Sequence, residues 1–403
     1  MEIIVRKPYL SRIVAHLNRG MMIILVGQRR VGKSFMLRQL HRWLGENRPD
    51  ATVVYVNKEL LGFSHLTTAA ELYDYVSPKF KPGGENYLLI DEVQDIEGYE
   101  NALRSLHAED RCQIVATGSN AYVFSSELST RLGGRYIEIP VYSLSYREFL
   151  EFHRLEDSDD ALLHYLRIGG LPGLRLYDIK EESQVSDYLQ GVYNTIMMRD
   201  VITRENIRNV PLIENLSHFI ADNDGKLISV NSIVKFLKSQ GENTSATVLS
   251  SYLDYLCKAL IINPVPRYDI HGKKLFELIY KYYFADHGLR NYLCGFNLRD
   301  SIEKVMENAV YLHLLQQRFK VNVGILRAGE VDFVATKGGK TIYVQVTYLL
   351  ATEETISREF GNLAAIRDNC PKYVVSMDPV GGDLSQYPGI RHLNLRQFLK
   401  SDL

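Results

Sequence analysis

The sequence lacks the features that mark secreted or membrane-spanning proteins. It has four cysteines in 403 residues, and they are too far apart to form a Cys-x-x-Cys pair or a zinc-type spacing with histidines. We expect reduced thiols at Cys112, Cys257, Cys294 and Cys370. No run approaches the roughly 18 apolar residues of a membrane span, and the first residues lack the apolar stretch of a signal peptide. We therefore expect a cytoplasmic protein with no membrane partner.

An excess of charge is also missing. The 47 Lys and Arg residues balance 48 Asp and Glu residues, giving a net charge of -1, so no whole-molecule field marks a nucleic-acid binder. The sequence has no internal repeat and no low-complexity linker, and its 46% hydrophobic and 24% charged residues are typical of a globular protein. At roughly 150 residues per domain, this length predicts two or three folded units.

Short apolar runs alternate with helical patterns from about residue 21 to 140, which is typical of a doubly wound parallel α/β domain. We place this core at residues 1–144, with helices starting near Lys33 and Tyr99. The predicted strands are Met22–Val26, Thr52–Val56, Tyr87–Ile90, Gln113–Ala116 and Tyr136–Ile139.

Three further units are predicted after this core. Residues 145–209 form a helical lid that is interrupted by Gly169–Gly173. Residues 210–300 contain three helices followed by a β-hairpin around His271–Lys274, which is the order of a winged helix. Residues 301–403 mix helices and strands and form a small α/β domain.

The segment GQRRVGKS, between the first strand and the next helix, matches the phosphate-binding consensus G-x-x-x-x-G-K-[ST]. We expect the backbone around Gly27, Arg30 and Gly32 to surround the phosphates of ATP. Lys33 is expected to contact the β- and γ-phosphates, and Ser34 to offer its hydroxyl to Mg²⁺. The alternative is a chance glycine-rich turn.

The segment YLLIDE supplies the second half of such a site. Asp91 is suited to hold Mg²⁺ at the end of its apolar strand, and Glu92 to orient or deprotonate the attacking water. An acidic helix N-cap would also place these two residues after a strand.

Other polar residues are candidates to complete the site. Ser119 and Asn120 follow the next strand and are expected to contact the γ-phosphate or the water, although a plain turn would also explain them. Arg131 and Arg135 offer guanidinium groups that would stabilise transition-state charge, within one chain or on a neighbouring subunit of a homo-oligomer. We favour Arg135 over Arg131; the alternative is an ordinary surface arginine.

Together these segments resemble the prokaryotic AAA+-type ATPase family with an uncharacterised C-terminal region. The resemblance rests on GQRRVGKS, LLIDE, ATGSN, the GGR step, PVYSLSYREFL, GGLPG and MMRDVITR, and it extends over nearly the whole chain. It implies ATP binding and hydrolysis with Mg²⁺, but no physiological task.

The last unit resembles the restriction-endonuclease-like fold, in which a helix Glu, a strand Asp and an acid-x-Lys pair bind Mg²⁺ on DNA. Glu307 and Asp332 match the first two acids, whereas Gln345 and Thr347 stand where the second strand acid and the lysine would be. This departure argues against active cleavage. It favours a nuclease-like fold retained for binding DNA or another partner; a plain helix–hairpin domain is the alternative.

The leading hypothesis is an ATPase whose nucleotide state controls how the C-terminal units engage duplex DNA. In the winged helix, the segment TSATVLSS is rich in hydroxyl groups but poor in positive charge. One alternative is therefore an ATP-gated regulatory scaffold that binds a protein partner, and another is a nuclease under ATP control.

Overall fold

The computed structural model describes residues 4–119, 132–327, 329–379 and 386–403. The chain divides into two compact units: unit 1 is Met1–Tyr142 with Lys258–Leu260, and unit 2 is Ser143–Cys257 with Ile261–Leu403. The four cysteines are free thiols, as predicted. Within the described ranges, no helix combines the length and the apolarity that crossing a bilayer requires.

Unit 1 contains a five-stranded sheet in the order β2-β3-β4-β1-β5. All its strand pairs are parallel, which confirms the predicted α/β core. Every residue of β1 and β3 is buried, because an all-parallel sheet has both faces covered. The strands are β1 (Met22–Val26), β2 (Thr52–Asn57), β3 (Asn86–Asp91), β4 (Gln113–Gly118) and β5 (Tyr136–Pro140).

The helices of unit 1 connect these strands. The predicted helix starts at Lys33 and Tyr99 are confirmed. The chain leaves the carboxyl ends of β1, β3 and β4 at one edge of the sheet, the edge at which open α/β sheets bind ligands. The helices are α1 (Lys7–His16), α2 (Lys33–Asn47), α3 (Ala69–Val76) and α4 (Tyr99–Ala108).

The first part of unit 2 is helical, as predicted for residues 145–209. At the glycine-rich break, the backbone packs closely against other residues of unit 2. A Cβ on Gly169 would lie 2.3 Å from Oδ1 of Asp286, and one on Gly170 would lie 2.5 Å from the Leu144 carbonyl oxygen. Asp286 Oδ2 accepts a hydrogen bond from the Gly170 N–H at 2.8 Å. The helices are α5 (Tyr146–His153), α6 (Asp159–Ile168) and α7 (Glu182–Ile196), which continues into a π-helical segment, Met197–Thr203.

Three more helices and a hairpin follow at the positions predicted from sequence. The hairpin strands continue into a larger sheet, because β7 pairs with β8 on one side and, in parallel, with β9 on the other. The elements are α8 (Val210–Asp222), β6 (Leu227–Ile228), α9 (Val230–Ser239), α10 (Ala246–Lys258), β7 (Ile262–Asp269), β8 (Lys274–Phe284) and α11 (His287–Leu293).

One eight-stranded sheet therefore runs through unit 2, in the order β13-β12-β11-β10-β9-β7-β8-β6. The sequence predicted neither β6 nor β13. The remaining elements are α12 (Ile302–Gln316), β9 (Lys320–Ile325), β10 (Glu330–Lys337), β11 (Lys340–Val346), α13 (Glu353–Ala364), β12 (Lys372–Ser376), β13 (Ile390–Asn394) and α14 (Leu395–Phe398).

Candidate functional site

The loop between β1 and α2 has a backbone that only particular residues allow. A Cβ on Gly27 would lie 2.1 Å from the Val141 carbonyl oxygen, so this position cannot carry a side chain without displacing the backbone directly after β5. Gly32 and Arg30 both have left-handed backbone angles, with φ of 101° and 68°. Such a loop, ending at a helix N-terminus, directs backbone N–H groups toward an anion.

Lys33 lies at the centre of this loop. Its side chain is buried, and its ammonium donates hydrogen bonds to the carbonyl oxygens of Gly27 and Gln28 at 2.8 and 2.9 Å. The loop therefore holds a positive charge in position before any ligand contributes contacts.

Ser34 and Asp91 meet across two elements. The Ser34 hydroxyl donates to Asp91 Oδ1 at 3.1 Å, and the Thr117 hydroxyl donates to the same oxygen at 2.7 Å. The other carboxylate oxygen, Oδ2, is buried and has no hydrogen-bond partner among the described residues. Burial raises the pKa of Asp91, and the two hydroxyls only partly oppose that shift. A buried carboxylate oxygen without a partner is costly, and a cation would relieve that cost.

Glu92 is held in an unusual conformation beside this carboxylate. Its φ of 57° lies in the left-handed region, which is strained for a residue with a side chain, and its N–H donates to Thr117 Oγ1 at 2.9 Å. Gln94 donates its amide N–H to Glu92 Oε2 and lies 3.2 Å from Ser119 Oγ.

The charge on Glu92 is favoured by its surroundings. Burial by itself would raise the pKa of Glu92, but the positive charges of Lys33 and Arg29, with hydrogen bonds from Gln94 and Ser119, outweigh burial and lower it. Glu92 is therefore ionised, and it faces the cationic side of the loop.

Sequence reasoning missed four residues of this site: Gln28, Arg29, Gln94 and Thr117. Gln28 and Arg29 lie inside GQRRVGKS, Thr117 lies inside ATGSN, and Gln94 follows LLIDE by two residues, but the motif spacing assigns these positions no chemistry. Gln28 is buried, and neither polar atom of its side chain has a partner among the described residues. Only the three-dimensional structure shows that these four residues lie together at the site.

Arg135 is not brought to the site within this chain. Met22 pairs with Tyr136 and its N–H bonds the Arg135 carbonyl oxygen, so Arg135 lies at the amino ends of the strands. The loop follows the carboxyl end of β1, about 13 Å away at ~3.3 Å per strand residue. The structure therefore does not bring the backbone of Arg135 near the loop within this chain, and a role in a neighbouring subunit stays a prediction. Asn120 and Arg131 lie outside the described residues.

In unit 2 the structure brings three of the four nuclease-like residues together. Lys281 Nζ lies 2.8 Å from Glu307 Oε1 and 3.3 Å from Asp332 Oδ1. The Gln345 side-chain oxygen accepts the Asp332 N–H at 3.3 Å. Thr347 is buried just beyond the end of β11, where its N–H bonds the Val375 carbonyl oxygen. Sequence reasoning missed Lys281, which stands in an aromatic strand with no motif around it.

Two family models match the chain. One, described as an AAA domain, matches residues 19–150 and therefore includes the loop, Asp91 and Glu92. The other, a domain of unknown function (DUF8612), matches residues 159–300.

Two relatives match over most of the chain. An uncharacterized protein of Haemophilus influenzae is 31% identical over 377 residues, covering 92% of each chain. An uncharacterized protein of Methanocaldococcus jannaschii is 27% identical over 345 residues, covering 81% of this chain and 74% of the relative.

Among solved structures, a Walker-type ATPase of Pyrococcus abyssi superposes with a TM-score of 0.50 at 18% identity, over 72% of this chain and 96% of that one. At this identity the likeness shows the fold, which is the P-loop ATPase fold of an AAA domain. The chain belongs to the family of the Haemophilus influenzae protein, and its N-terminal part is an AAA domain.

Proposed function

We propose that unit 1 binds ATP with Mg²⁺ and hydrolyses it, and that the nucleotide state controls how the C-terminal units engage DNA. The main support is the meeting of Ser34 Oγ and Asp91 Oδ1 at 3.1 Å, beside a carboxylate oxygen that has no partner among the described residues. A structural helix cap would not need a buried oxygen in that state.

The loop residues bind the phosphates in this proposal. The backbone of Gly27, Arg30 and Gly32 supplies N–H donors, and the Lys33 ammonium exchanges its carbonyl partners for phosphate oxygens. These two carbonyl oxygens, of Gly27 and Gln28, belong to the loop itself.

Ser34 and Asp91 are the residues that fit Mg²⁺, because hydroxyl and carboxylate oxygens are its preferred ligands. When bound, the ion neutralises charge that develops on the transferred phosphoryl group. Thr117 fixes the orientation of the Asp91 carboxylate through its 2.7 Å hydrogen bond.

Glu92 orients the attacking water and accepts its proton. Ser119 and Gln94 act as positioning residues. Both form hydrogen bonds with the Glu92 side chain, and Gln94 also contacts Ser119. Asn120 is proposed as a further contact to the γ-phosphate or the water, and Arg135 or Arg131 of a neighbouring subunit as the source of a guanidinium group.

Engagement of DNA is proposed for unit 2. The exposed hydroxyls of Thr247 and Ser250 on α10 and the exposed Lys273 of the hairpin turn support contact with phosphates. A protein partner is the second candidate, and the composition of α10 favours it. Its one basic residue is Lys258 at the C-terminal end, and Asp254 offsets that charge.

Steady-state ATP hydrolysis, with and without duplex and single-stranded DNA at two salt concentrations, tests the proposal. We expect Mg²⁺-dependent turnover that DNA stimulates and that salt suppresses, because phosphate contacts weaken as counterions accumulate. Turnover that is indifferent to DNA favours the protein partner, and absence of turnover in folded protein contradicts the ATPase itself.

Two variants separate the roles of the residues. Lys33→Ala is expected to weaken ATP binding, whereas Glu92→Gln is expected to preserve binding and slow turnover. Equal loss of binding in both variants would refute this assignment of roles.

A further inference from the structure

Three carboxylates in unit 2 surround a single buried lysine. Lys281 of β8 is 3% exposed, and its ammonium lies 2.8 Å from Glu307 Oε1, 2.7 Å from Glu330 Oε1 and 3.3 Å from Asp332 Oδ1. The acids come from the helix α12 and from β10, which β9 and β7 separate from β8 in the sheet. The long lysine side chain therefore connects three separate elements.

The surrounding groups donate further hydrogen bonds to these acids. The Tyr283 hydroxyl donates to Glu307 Oε1, and the Val346 N–H donates to Asp332 Oδ2 at 2.9 Å. Gln345 uses its side-chain oxygen to accept the Asp332 N–H. Both oxygens of Asp332, and one oxygen each of Glu307 and Glu330, thus already contact protein donors.

A nuclease-like site would require a divalent ion at this place. Mg²⁺ demands several oxygens in near-octahedral arrangement at about 2.1 Å. Within the described parts of the chain, no group of three or more His, Cys, Asp or Glu residues is arranged to hold a metal ion. The residues present therefore do not fit the metal that the resemblance implies.

We propose that the Lys281 ammonium is the permanent cation of this cluster and stands in place of a divalent metal ion. A protonated lysine neutralises carboxylates, but it cannot supply the metal-bound hydroxide with which such a site cleaves a phosphodiester. Unit 2 consequently holds its partner, nucleic acid included, without cutting it at this cluster.

The charge state of the cluster agrees with this assignment. Burial opposes the charge on Lys281, but the three carboxylates outweigh burial and raise its pKa well above the ordinary value. Burial and the charge of Asp332 raise the pKa of Glu307, against the opposing effect of Lys281. The cluster thus holds its own cation, and the raised pKa of Glu307 favours the neutral form of one of its acids.

Calorimetric titration of nucleotide-free protein with millimolar Mn²⁺ tests the proposal directly. Wild type and Asp332→Asn are expected to give the same binding curve, because Asp332 holds no metal. Mn²⁺ binding that is present in wild type and lost in Asp332→Asn would overturn the proposal, as would plasmid nicking that depends on Asp332. Nothing in this cluster depends on ATP hydrolysis in unit 1.

A gain-of-function variant sharpens the test. Lys281→Ala, checked for folding by circular dichroism, is expected to acquire an Mn²⁺ site that a second substitution, Asp332→Asn, removes. Lys340→Ala, which removes an exposed lysine at the start of β11, is the matched control and gains no site. A folded Lys281→Ala protein without the new site contradicts the proposal. If Lys281→Ala does not fold, the comparison of Mn²⁺ binding by wild type and by Asp332→Asn still tests the proposal.

Discussion

Two sets of buried carboxylates in this protein solve the same electrostatic problem in opposite ways. In unit 1, Asp91 is fully buried, and one of its oxygens has no partner among the described residues. In unit 2, Glu307 and Asp332 are nearly as buried, but Lys281 contacts both. We propose that the first set receives a cation, whereas the second contains its own.

This difference shows how a ligand site is distinguished from a self-sufficient cluster. A buried charge costs several kcal/mol unless it is paired. Where the fold retains a buried acid without a neighbouring cation beside a phosphate-binding loop, we propose that a ligand offsets that cost. Where a lysine pairs with the acids, the fold stabilises itself and no ligand is required.

The largest effect is expected at Glu92. Glu92→Gln retains the size and the Gln94 contact but removes the proton acceptor, so turnover should fall by about 10²- to 10⁴-fold. ATP affinity should stay within about twofold, because the residue is not assigned a ground-state phosphate contact. Turnover and equilibrium nucleotide binding, measured on the same preparation, check both points. Unchanged turnover would show that Glu92 is not the proton acceptor.

Removal of the internal cation is expected to destabilise unit 2. Lys281→Met leaves buried acids without their counter-charge, at a cost of about 3–5 kcal/mol in the free energy of unfolding. Because Trp43 is the only tryptophan and lies in unit 1, loss of circular dichroism without a change in Trp43 fluorescence identifies unit 2. A loss below about 1 kcal/mol, the range of exposed pairs, would show that the cluster contributes little.

The stability of unit 2 is expected to depend on pH through Glu307. Burial raises the pKa of Glu307 from 4.5 to about 7, so between these values the folded state keeps a proton that the unfolded state has released. The contribution of Glu307 to stability therefore falls as the pH rises through this window, by up to about 3 kcal/mol. His153 and His313, whose pKa burial lowers to about 4, contribute in the opposite direction over the same window. The free energy of unfolding of wild type minus that of Glu307→Gln should therefore fall as the pH rises, whereas Glu303→Gln, at an exposed position of the same helix, should leave the wild-type profile unchanged. A difference between wild type and Glu307→Gln that rises over this window contradicts the shift.

The smallest effect on stability is expected at Asp91. Asp91→Asn keeps an oxygen for Ser34 and Thr117 and removes an unpaired buried charge, so the free energy of unfolding should change by less than about 1 kcal/mol or increase. Denaturant unfolding followed by Trp43 fluorescence measures this change in unit 1. A loss as large as that expected for Lys281→Met would make Asp91 a structural residue.

Local patterns predicted much of this molecule. The five strands of unit 1 occur within about two residues of their predicted ends, because apolar runs bounded by turns are a local signal. The loop and Asp91 were found because their chemistry depends on fixed spacing along the chain.

Contacts between residues that are far apart in the sequence leave no local pattern from which they could be predicted. The parallel pairing of β7 with β9 joins segments about 55 residues apart, and the approach of Lys281 to Glu307 and Asp332 depends on that sheet. Gln94 was missed because its side-chain partner is set by the turn after β3. Arg135 directly precedes the strand predicted at Tyr136–Ile139, so the predicted parallel sheet already implied that it lies at the amino ends of the strands, away from the loop.

Mg²⁺-dependent ATP turnover of Asp91→Asn and Glu330→Gln, measured side by side on protein shown to be folded, tests the central contrast most directly. Each variant replaces one carboxylate by its amide, the first in unit 1 and the second in the cluster around Lys281. The account predicts that turnover is lost in Asp91→Asn and remains at the wild-type rate in Glu330→Gln. Full turnover in Asp91→Asn, or loss of turnover only in Glu330→Gln, would contradict it.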